Sequence, residues 1–371
     1  MAKSIDIPKG VNLVDVRKRI NRLLTEARNT AKPDMCILCG EKQTSFCNSH
    51  SVPQLSLRNI ATNGKVLQAS VLMGMEVIDI EKGVNNSGTF HFICNNCDGT
   101  FFQDYENEQN LKTKPTDKML AEIAVKNFLL QLSKRTQEKA LYRELQRDFN
   151  AYTNLENLEE IKELDIKEYT EEIQFHKGIA DNDIKGGYQI LFWKVAPYKI
   201  PIAIQSAIAL SKDLEGNEVN NVFDMSDSIR MQYMHLTILP LKEGSVILAF
   251  YHKRDKLYRK LRHQINSSSE EKILQFLNYI IFAYTENYFI SKTIQSTIES
   301  NEKLSQLGQE NNEYPDFGLL NSDNYFGIGY HPIGMDEIPN FLDVDWSVDW
   351  EKCEEDKLWN TNTSHPYQNH Y

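Results

Sequence analysis

Two Cys-x-x-Cys pairs constrain the fold of this chain more than any other feature of its sequence. The first pair is Cys36 and Cys39, and the second pair is Cys94 and Cys97. A Cys-x-x-Cys turn directs both sulfurs towards one ion, and two such turns provide the four soft ligands that tetrahedral zinc prefers. The sequence therefore predicts one structural Zn²⁺ held by these four cysteines.

Other uses of the cysteines remain open at this point. The spacing of Cys36, Cys39, Cys47 and His50 also suits one zinc ion, although this choice leaves the second pair without a role. A thioredoxin-like redox pair needs a strand before the motif and a helix that opens directly from it. Cys36 instead follows a Lys-Pro-Asp segment and precedes Gly40, a pattern typical of a turn. This pattern favours metal binding over redox chemistry.

Length and charge exclude several classes of protein. A chain of 371 residues is long enough for about two or three domains. The net charge of −11 argues against a protein that coats nucleic acid with its whole surface, although a local basic groove is compatible with it. No apolar run reaches the ~18 residues that a membrane span requires, and the N-terminus lacks the apolar core of a signal peptide. We expect a cytoplasmic protein with reduced cysteines and no membrane partner.

Changes in hydrophobic pattern along the chain predict its domain organisation. The segments are an N-terminal helix in residues 1–31, a zinc domain in 32–112, a helical segment in 113–180, an α+β domain in 181–300 and an irregular acidic tail in 301–371. Within the helical segment, apolar residues recur every fourth position over 120–132, which predicts a buried helix, and a second helix follows over about 137–149.

Four stretches after Gly186 are rich in β-branched and aromatic residues, which favour strands. The stretches cover residues 188–195, 203–210, 231–239 and 245–251. The last two flank a Pro-Leu-Lys-Glu-Gly segment that suits a hairpin turn. We therefore expect an antiparallel sheet in this half of the chain.

The predicted zinc domain, residues 32–112, is called the zinc segment below. The order of its motifs resembles that of the zinc-stabilised HNH (ββα-metal) endonucleases. A Cys-x-x-Cys pair is followed by Ser49-His50-x-x-Pro53, and then by a second Cys-x-x-Cys that opens a helix. The resemblance covers about residues 30–110. It implies a treble-clef-like ββα-metal zinc domain. Together with the helices and strands predicted after residue 112, this gives an α+β fold in which the zinc domain precedes a larger domain of mixed helices and antiparallel sheet.

The resemblance also implies the residues of a catalytic site. In this family the histidine at the end of the first strand is the general base, and His50 occupies that place. A single divalent cation, Mg²⁺ or Mn²⁺, then lies on the scissile phosphate. Its ligands correspond to Ser49, a neutral and weaker ligand, and to Asp98, which can supply the carboxylate that position 49 lacks. Asp104 and Glu106 are alternative ligands.

The most basic segment of the chain runs from Lys253 to His263. Its candidate contacts to nucleic acid are Lys253, Arg254, Arg259, Lys260 and Arg262. A solvated helix face is the ordinary explanation of such a run. A nuclease, however, needs a cationic surface to hold phosphates.

Two functions follow from these residues. The first is a metal-dependent endonuclease that cleaves nucleic acid, DNA before RNA. The resemblance implies a role in bacterial anti-phage defence, and a regulatory protein partner is expected because a cell must restrain an unspecific nuclease. The second is a non-catalytic zinc-binding module in a protein that recognises nucleic acid or another protein. His50 and Asp98 favour the first function, whereas Ser49 and the acidic charge balance favour the second.

Overall fold

The computed structural model describes residues 13–69, 78–149, 155–221, 229–309 and 333–348. The α-helices in these ranges are α1 (Leu13–Thr30), α2 (Gln54–Ile60), α3 (Asn95–Phe101), α4 (Gln103–Glu106), α5 (Glu108–Leu111), α6 (Asp117–Phe149), α7 (Leu155–Asp181), α8 (Tyr258–Ser267), α9 (Glu270–Tyr284), α10 (Gln295–Glu299) and α11 (Glu302–Gln309). The strands are β1 (Ser49–His50), β2 (Lys65–Ala69), β3 (Ile78–Gly83), β4 (Thr89–Phe90), β5 (Tyr188–Ala196), β6 (Ile202–Ile208), β7 (Met234–Pro240), β8 (Ser245–His252) and β9 (Tyr288–Ile290).

A seven-stranded sheet lies at the centre of the described chain. Its strand order is β3-β2-β9-β6-β7-β8-β5, and every neighbouring pair is antiparallel. The four strands predicted after Gly186 are confirmed as β5 to β8, with shifts of a few residues at their ends. Every residue of β6 and β7 is buried, so both faces of the sheet are covered. This explains why the sequences of these strands are continuous apolar runs and do not alternate between apolar and polar residues.

The sheet separates two hydrophobic cores, because successive side chains of a strand point to opposite faces. On one face, Ala207 and Phe250 belong to the same core as Phe128 of α6. On the other face, Ile204 belongs to a core with Leu277 of α9. The fold therefore has three layers, and α6 and the zinc segment share one side of the sheet.

Helix α6 differs from its prediction. The sequence predicts two helices, over 120–132 and about 137–149, whereas the structure has one continuous helix of 33 residues. No glycine or proline interrupts the chain between the two stretches. The charged second half is stabilised instead by ion pairs, since Arg135 lies 2.7 Å from Glu138 and 2.8 Å from Asp165 of α7. Pairing with α7 thus continues the helix beyond the end of its apolar repeat.

The zinc segment is joined to the large sheet. Its strands β2 and β3 pair with each other, and β2 also pairs with β9 through Leu67 opposite Ile290. Ser51 Oγ donates a hydrogen bond of 2.9 Å to Asn287 Oδ1, although the two residues are 236 positions apart in the chain. Strands β2 and β3 lie in the insertion between His50 and Cys94, of which residues 70–77 lie outside the described part of the chain. Strands from both sides of the predicted boundary at residue 112 therefore share one sheet.

A part of the predicted tail packs against α9. Asn278 Nδ2 donates to the carbonyl oxygen of Pro339 at 2.9 Å, and the backbone N–H of Phe341 donates back to Asn278 Oδ1 at 3.0 Å. The side chains of Phe341 and Leu342 are buried. Residues 310–332 and 349–371 of the predicted tail lie outside the described residues.

None of the helices in the described part of the chain combines the length and the apolar character needed to cross a membrane. Helix α6, the longest of them, carries Glu122 and Lys126 inside its apolar first half. Both side chains are only 1% exposed. Charged groups at such depth require polar partners. The partners of Lys126 lie in the zinc segment.

Candidate functional site

The four cysteines of the two Cys-x-x-Cys pairs come together. The sulfur atoms of Cys36, Cys39, Cys94 and Cys97 all lie within 4.8 Å of one another, which confirms their predicted grouping. Gly40 ends the first turn with a φ of 71°, a conformation that favours glycine. Cys94 is the N-cap of α3, and its sulfur accepts a hydrogen bond from the Cys97 N–H at 3.4 Å. The four thiols fit a structural metal ion such as zinc.

Hydrogen bonds from the backbone favour the ionised form of Cys36. The N–H of Cys94 donates to Cys36 Sγ at 3.3 Å. Burial opposes ionisation, yet the N–H groups of Cys39, Cys94 and Leu38 together lower the pKa of Cys36 to about 7. Because the thiolate is the form that binds metal, the turn prepares this sulfur to act as a ligand at neutral pH.

Cys47 has a different partner. Its thiol donates a hydrogen bond of 3.3 Å to Asp98 Oδ2. Burial and the negative charge of Asp98 raise the pKa of Cys47 to about 12, so this thiol keeps its proton. The structure therefore does not bring Cys47 and His50 together with the first cysteine pair as the alternative set of ligands.

Ser49, Asp98, Glu106 and Lys126 form a polar group, which we call the Asp98 cluster; Ser49 and Lys126 are buried, Asp98 is partly buried and Glu106 is exposed. Ser49 Oγ donates to Asp98 Oδ1 at 2.5 Å. Lys126 Nζ lies 3.1 Å from Asp98 Oδ1, 3.2 Å from Glu106 Oε1 and 3.3 Å from Ser49 Oγ. The ammonium also lies 3.7 Å from the centre of the Phe102 ring, a cation–π contact. Helices α3, α4 and α6 and strand β1 thus meet at one cation.

The charge of Lys126 decides the state of Asp98. Burial by itself raises the pKa of this carboxyl group. The ammonium of Lys126 and hydrogen bonds from Ser49, Lys126 and Cys47 outweigh burial, and the pKa of Asp98 lies below its usual range. Asp98 is therefore an ionised carboxylate at neutral pH, and its counter-ion is supplied by the chain.

The Asp98 cluster, as it is arranged, does not fit a divalent cation. The resemblance places such an ion between Ser49 and Asp98, but the oxygens of these residues already face the ammonium of Lys126. An ammonium group has three donors, and Lys126 has three oxygen acceptors within 3.3 Å. Lys126 was not among the predicted site residues. Its signal in the sequence was a lysine within the apolar repeat of residues 120–132, four positions after Glu122.

His50 is oriented by the backbone. Its Nε2 lies 3.0 Å from the carbonyl oxygen of Val84. Since a carbonyl only accepts, the neutral ring carries its proton on Nε2 and leaves the lone pair of Nδ1 open. Burial lowers the pKa of His50 despite the opposing effect of this carbonyl, so the ring is neutral at pH 7. Among the described residues, no acidic side chain hydrogen-bonds to the ring.

Arg254, one of the predicted nucleic-acid contacts, is part of an internal ion-pair network. Its guanidinium pairs with Glu172, which is 2% exposed, and lies 3.4 Å above the ring of Phe175. Arg230 pairs with the other oxygen of Glu172 at 3.0 Å. These contacts tie the end of β8 to α7.

Three of the other basic residues, Lys253, Arg259 and Arg262, line a groove beside α8, whereas Lys260 does not. Residues that line this groove of about 260 Å³ are Gln189, Tyr251, Lys253, Arg259, Arg262 and His263. Lys253 also donates to the Gly186 carbonyl at 2.7 Å, and Lys260 lies 4.0 Å from Asp213. Within the described ranges neither arginine of the groove forms an ion pair. Two unpaired guanidinium groups beside one groove suit an anionic group such as phosphate.

Three histidines that the sequence did not single out lie close together, namely His176 of α7, His235 of β7 and His252 of β8. The ring centroid of His176 lies 5.7 Å from that of His235 and 6.0 Å from that of His252. His176 Nδ1 pairs with the Tyr188 hydroxyl at 2.5 Å, and His235 Nδ1 with the Asn127 side chain at 3.1 Å. Burial lowers the pKa of all three rings, so they are neutral at pH 7.

Comparisons with known proteins leave the family of the chain open. No family model matches it, and neither a curated protein nor a solved structure does. The resemblance to the HNH endonucleases therefore depends on the quoted motifs and on the geometry described above. What is shown of the chain is a mixed α and β fold with four clustered cysteines that suit a metal ion.

Proposed function

We propose that this chain is an HNH-like endonuclease, a phosphodiester hydrolase in which His50 is the general base. The observation that carries the proposal is the bond from His50 Nε2 to the Val84 carbonyl. This bond leaves Nδ1 unprotonated in the neutral ring, which is the form that a general base requires.

The arrangement of elements supports the proposal. Strand β1 pairs with β4 through His50 opposite Thr89, and α3 follows β4 by way of Cys94. A short antiparallel pair, a helix and four clustered thiols are the parts of a ββα-metal domain, and we propose a treble-clef-like arrangement for them. Zinc bound to the four thiols would fix β1 and α3 relative to the first Cys-x-x-Cys turn.

In the proposed reaction, His50 Nδ1 accepts a proton from a water molecule. The water oxygen forms the new bond to phosphorus, the phosphorus–oxygen bond to the leaving sugar breaks, and the leaving oxygen takes a proton from solvent. No step is assigned to Mg²⁺ or Mn²⁺, because the Asp98 cluster does not fit a divalent ion. General-base catalysis of this kind contributes roughly 10²–10⁴-fold in rate.

The groove beside α8 is the surface proposed for the nucleic acid. Its unpaired Arg259 and Arg262 suit backbone phosphates, which supply most of the affinity of unspecific DNA binding. DNA is the proposed substrate, while a role in anti-phage defence and a regulatory protein partner follow from the resemblance and remain proposals.

A second function is favoured by the Asp98 cluster. Lys126 neutralises the carboxylate that a catalytic cation would need. The same zinc scaffold is then a non-catalytic module that presents a recognition surface for nucleic acid or protein. The two functions differ in whether the chain breaks phosphodiester bonds.

The test is cleavage of supercoiled plasmid by the zinc-loaded chain at pH 7.5, with Mg²⁺, with Mn²⁺ and without added metal. We expect His50→Ala to lower the rate by at least about 100-fold, because it removes the base. His91→Ala is the matched control, since this residue is a half-buried histidine of the same segment, and it should leave the rate unchanged. Equal cleavage by wild type and His50→Ala, or no cleavage in any condition, would refute the nuclease and favour the zinc module.

A further inference from the structure

The Asp98 cluster has the composition of a cation site, but its oxygens already face the ammonium group of Lys126. Asp98 and Glu106 supply two carboxylates and Ser49 a hydroxyl, the hard oxygen ligands that Mg²⁺ and Mn²⁺ bind. All three oxygens converge on Lys126 Nζ, at 3.1, 3.2 and 3.3 Å. The cation that these ligands hold is therefore part of the polypeptide.

Lys126 has no alternative position for its charge. Its side chain is 1% exposed, and its helix α6 is packed between the zinc segment and the sheet. The Phe102 ring lies against the ammonium at 3.7 Å and limits its movement on that side. A divalent ion entering between Ser49, which is buried, and Asp98, which is partly buried, would meet a fixed positive charge at about 3 Å and be repelled by it.

We propose that the ammonium of Lys126 replaces the divalent cation at this site, so that Ser49, Asp98 and Glu106 bind no divalent ion while Lys126 is present. The inference applies to either proposed function, because it concerns which cation the ligands hold. Removing the lysine charge then creates a divalent-cation site from two carboxylates and one hydroxyl. The ligand class of that site is a hard divalent ion, represented by Mn²⁺.

The experiment measures Mn²⁺ binding to the full, zinc-loaded chain by the electron paramagnetic resonance signal of free Mn²⁺. Wild type and Asp98→Asn should bind the same number of ions, which are surface ions unrelated to the cluster. Lys126→Met, which keeps the length of the side chain, should bind one additional Mn²⁺ at least tenfold more tightly than wild type does. Lys126→Arg, which keeps the charge, should gain none, and Asp98→Asn combined with Lys126→Met should lose the additional ion.

Two results would overturn the inference. One is a Mn²⁺ ion in wild type that disappears in Asp98→Asn or in Glu106→Gln. The other is a folded Lys126→Met chain, with its zinc retained, that gains no ion. If Lys126→Met does not fold, the comparison of wild type with Asp98→Asn and Glu106→Gln still decides between the outcomes. Plasmid cleavage is measured separately, so a failed nuclease proposal and a failed cation proposal are distinguishable.

Discussion

Acid should destabilise this fold through His252, and the size of the effect follows from its surroundings. Burial and the positive charge of Arg254 lower the pKa of His252 from 6.5 to about 4. The charged groups that act on the ring are Arg254 and Arg230, which lower its pKa, and Glu172 and Asp117, which raise it. In addition, Nδ1 of His252 accepts a hydrogen bond of 3.2 Å from the backbone N–H of Arg254, and protonation of Nδ1 would remove this acceptor.

The sign of the effect follows from the order of protonation. As the pH falls, His252 takes up a proton in the unfolded chain before it does so in the folded chain. The stabilisation by neutral His252 is complete above pH 6.5 and is lost as the pH falls towards 4. With these two pKa values, the loss at pH 5 is about 2 kcal/mol, and solvent at the half-buried ring reduces it to about 1–2 kcal/mol. His252→Gln keeps an acceptor but cannot be protonated, so this loss should be absent from the variant.

The assay is the difference in the free energy of unfolding between wild type and His252→Gln, measured with urea at pH 7.5 and at pH 5. Any loss of zinc at pH 5 affects both proteins and cancels in the difference. His263→Gln, a change at an exposed histidine, is the control for the substitution itself. A His252→Gln protein that loses as much stability as wild type between the two pH values would refute the reasoning.

Two further changes test the zinc site and the hairpin of the sheet. Cys94→Ser should lower the zinc content, measured by mass spectrometry, well below one ion per chain, whereas Cys47→Ser should retain the ion. The reverse result would show that the ligands are assigned wrongly. Gly244→Ala should lower the unfolding free energy by about 2–4 kcal/mol in urea, because φ is 83° and the new Cβ would overlap the Ala196 carbonyl. Gly99→Ala, in open space on α3, is its control, and equal effects of the two changes would contradict the steric explanation.

Features that depend on short stretches of sequence could be predicted well. The two Cys-x-x-Cys spacings are local features, so the sequence predicted the grouping of Cys36, Cys39, Cys94 and Cys97, while the alternative with Cys47 and His50 was excluded only by the structure. The strands β5 to β8 were also predictable, since β-branched residues and a turn ending in Gly244 mark them locally.

Features that depend on distant contacts could not be predicted. Asp98 was singled out by its position after the second cysteine pair, but its counter-ion Lys126 lies 28 residues later in an apolar helix. The role of a lone buried lysine depends on which residue it contacts, and the hydrophobic periodicity of its helix does not predict that contact. Arg254 shows the converse, because its place in a basic run indicated exposure whereas Glu172 holds it in an internal pair.

The bond from Ser51 to Asn287 and the pairing of β2 with β9 have a consequence for biosynthesis. A ribosome releases the N-terminal part of a chain first, so all four cysteines leave the exit tunnel long before β9 is made. The four cysteines can bind metal early, but one edge of β2 remains unpaired until nearly the whole sheet has been translated. Unpaired edges of this kind promote aggregation, and a nascent chain of this protein should therefore depend on chaperones during that interval.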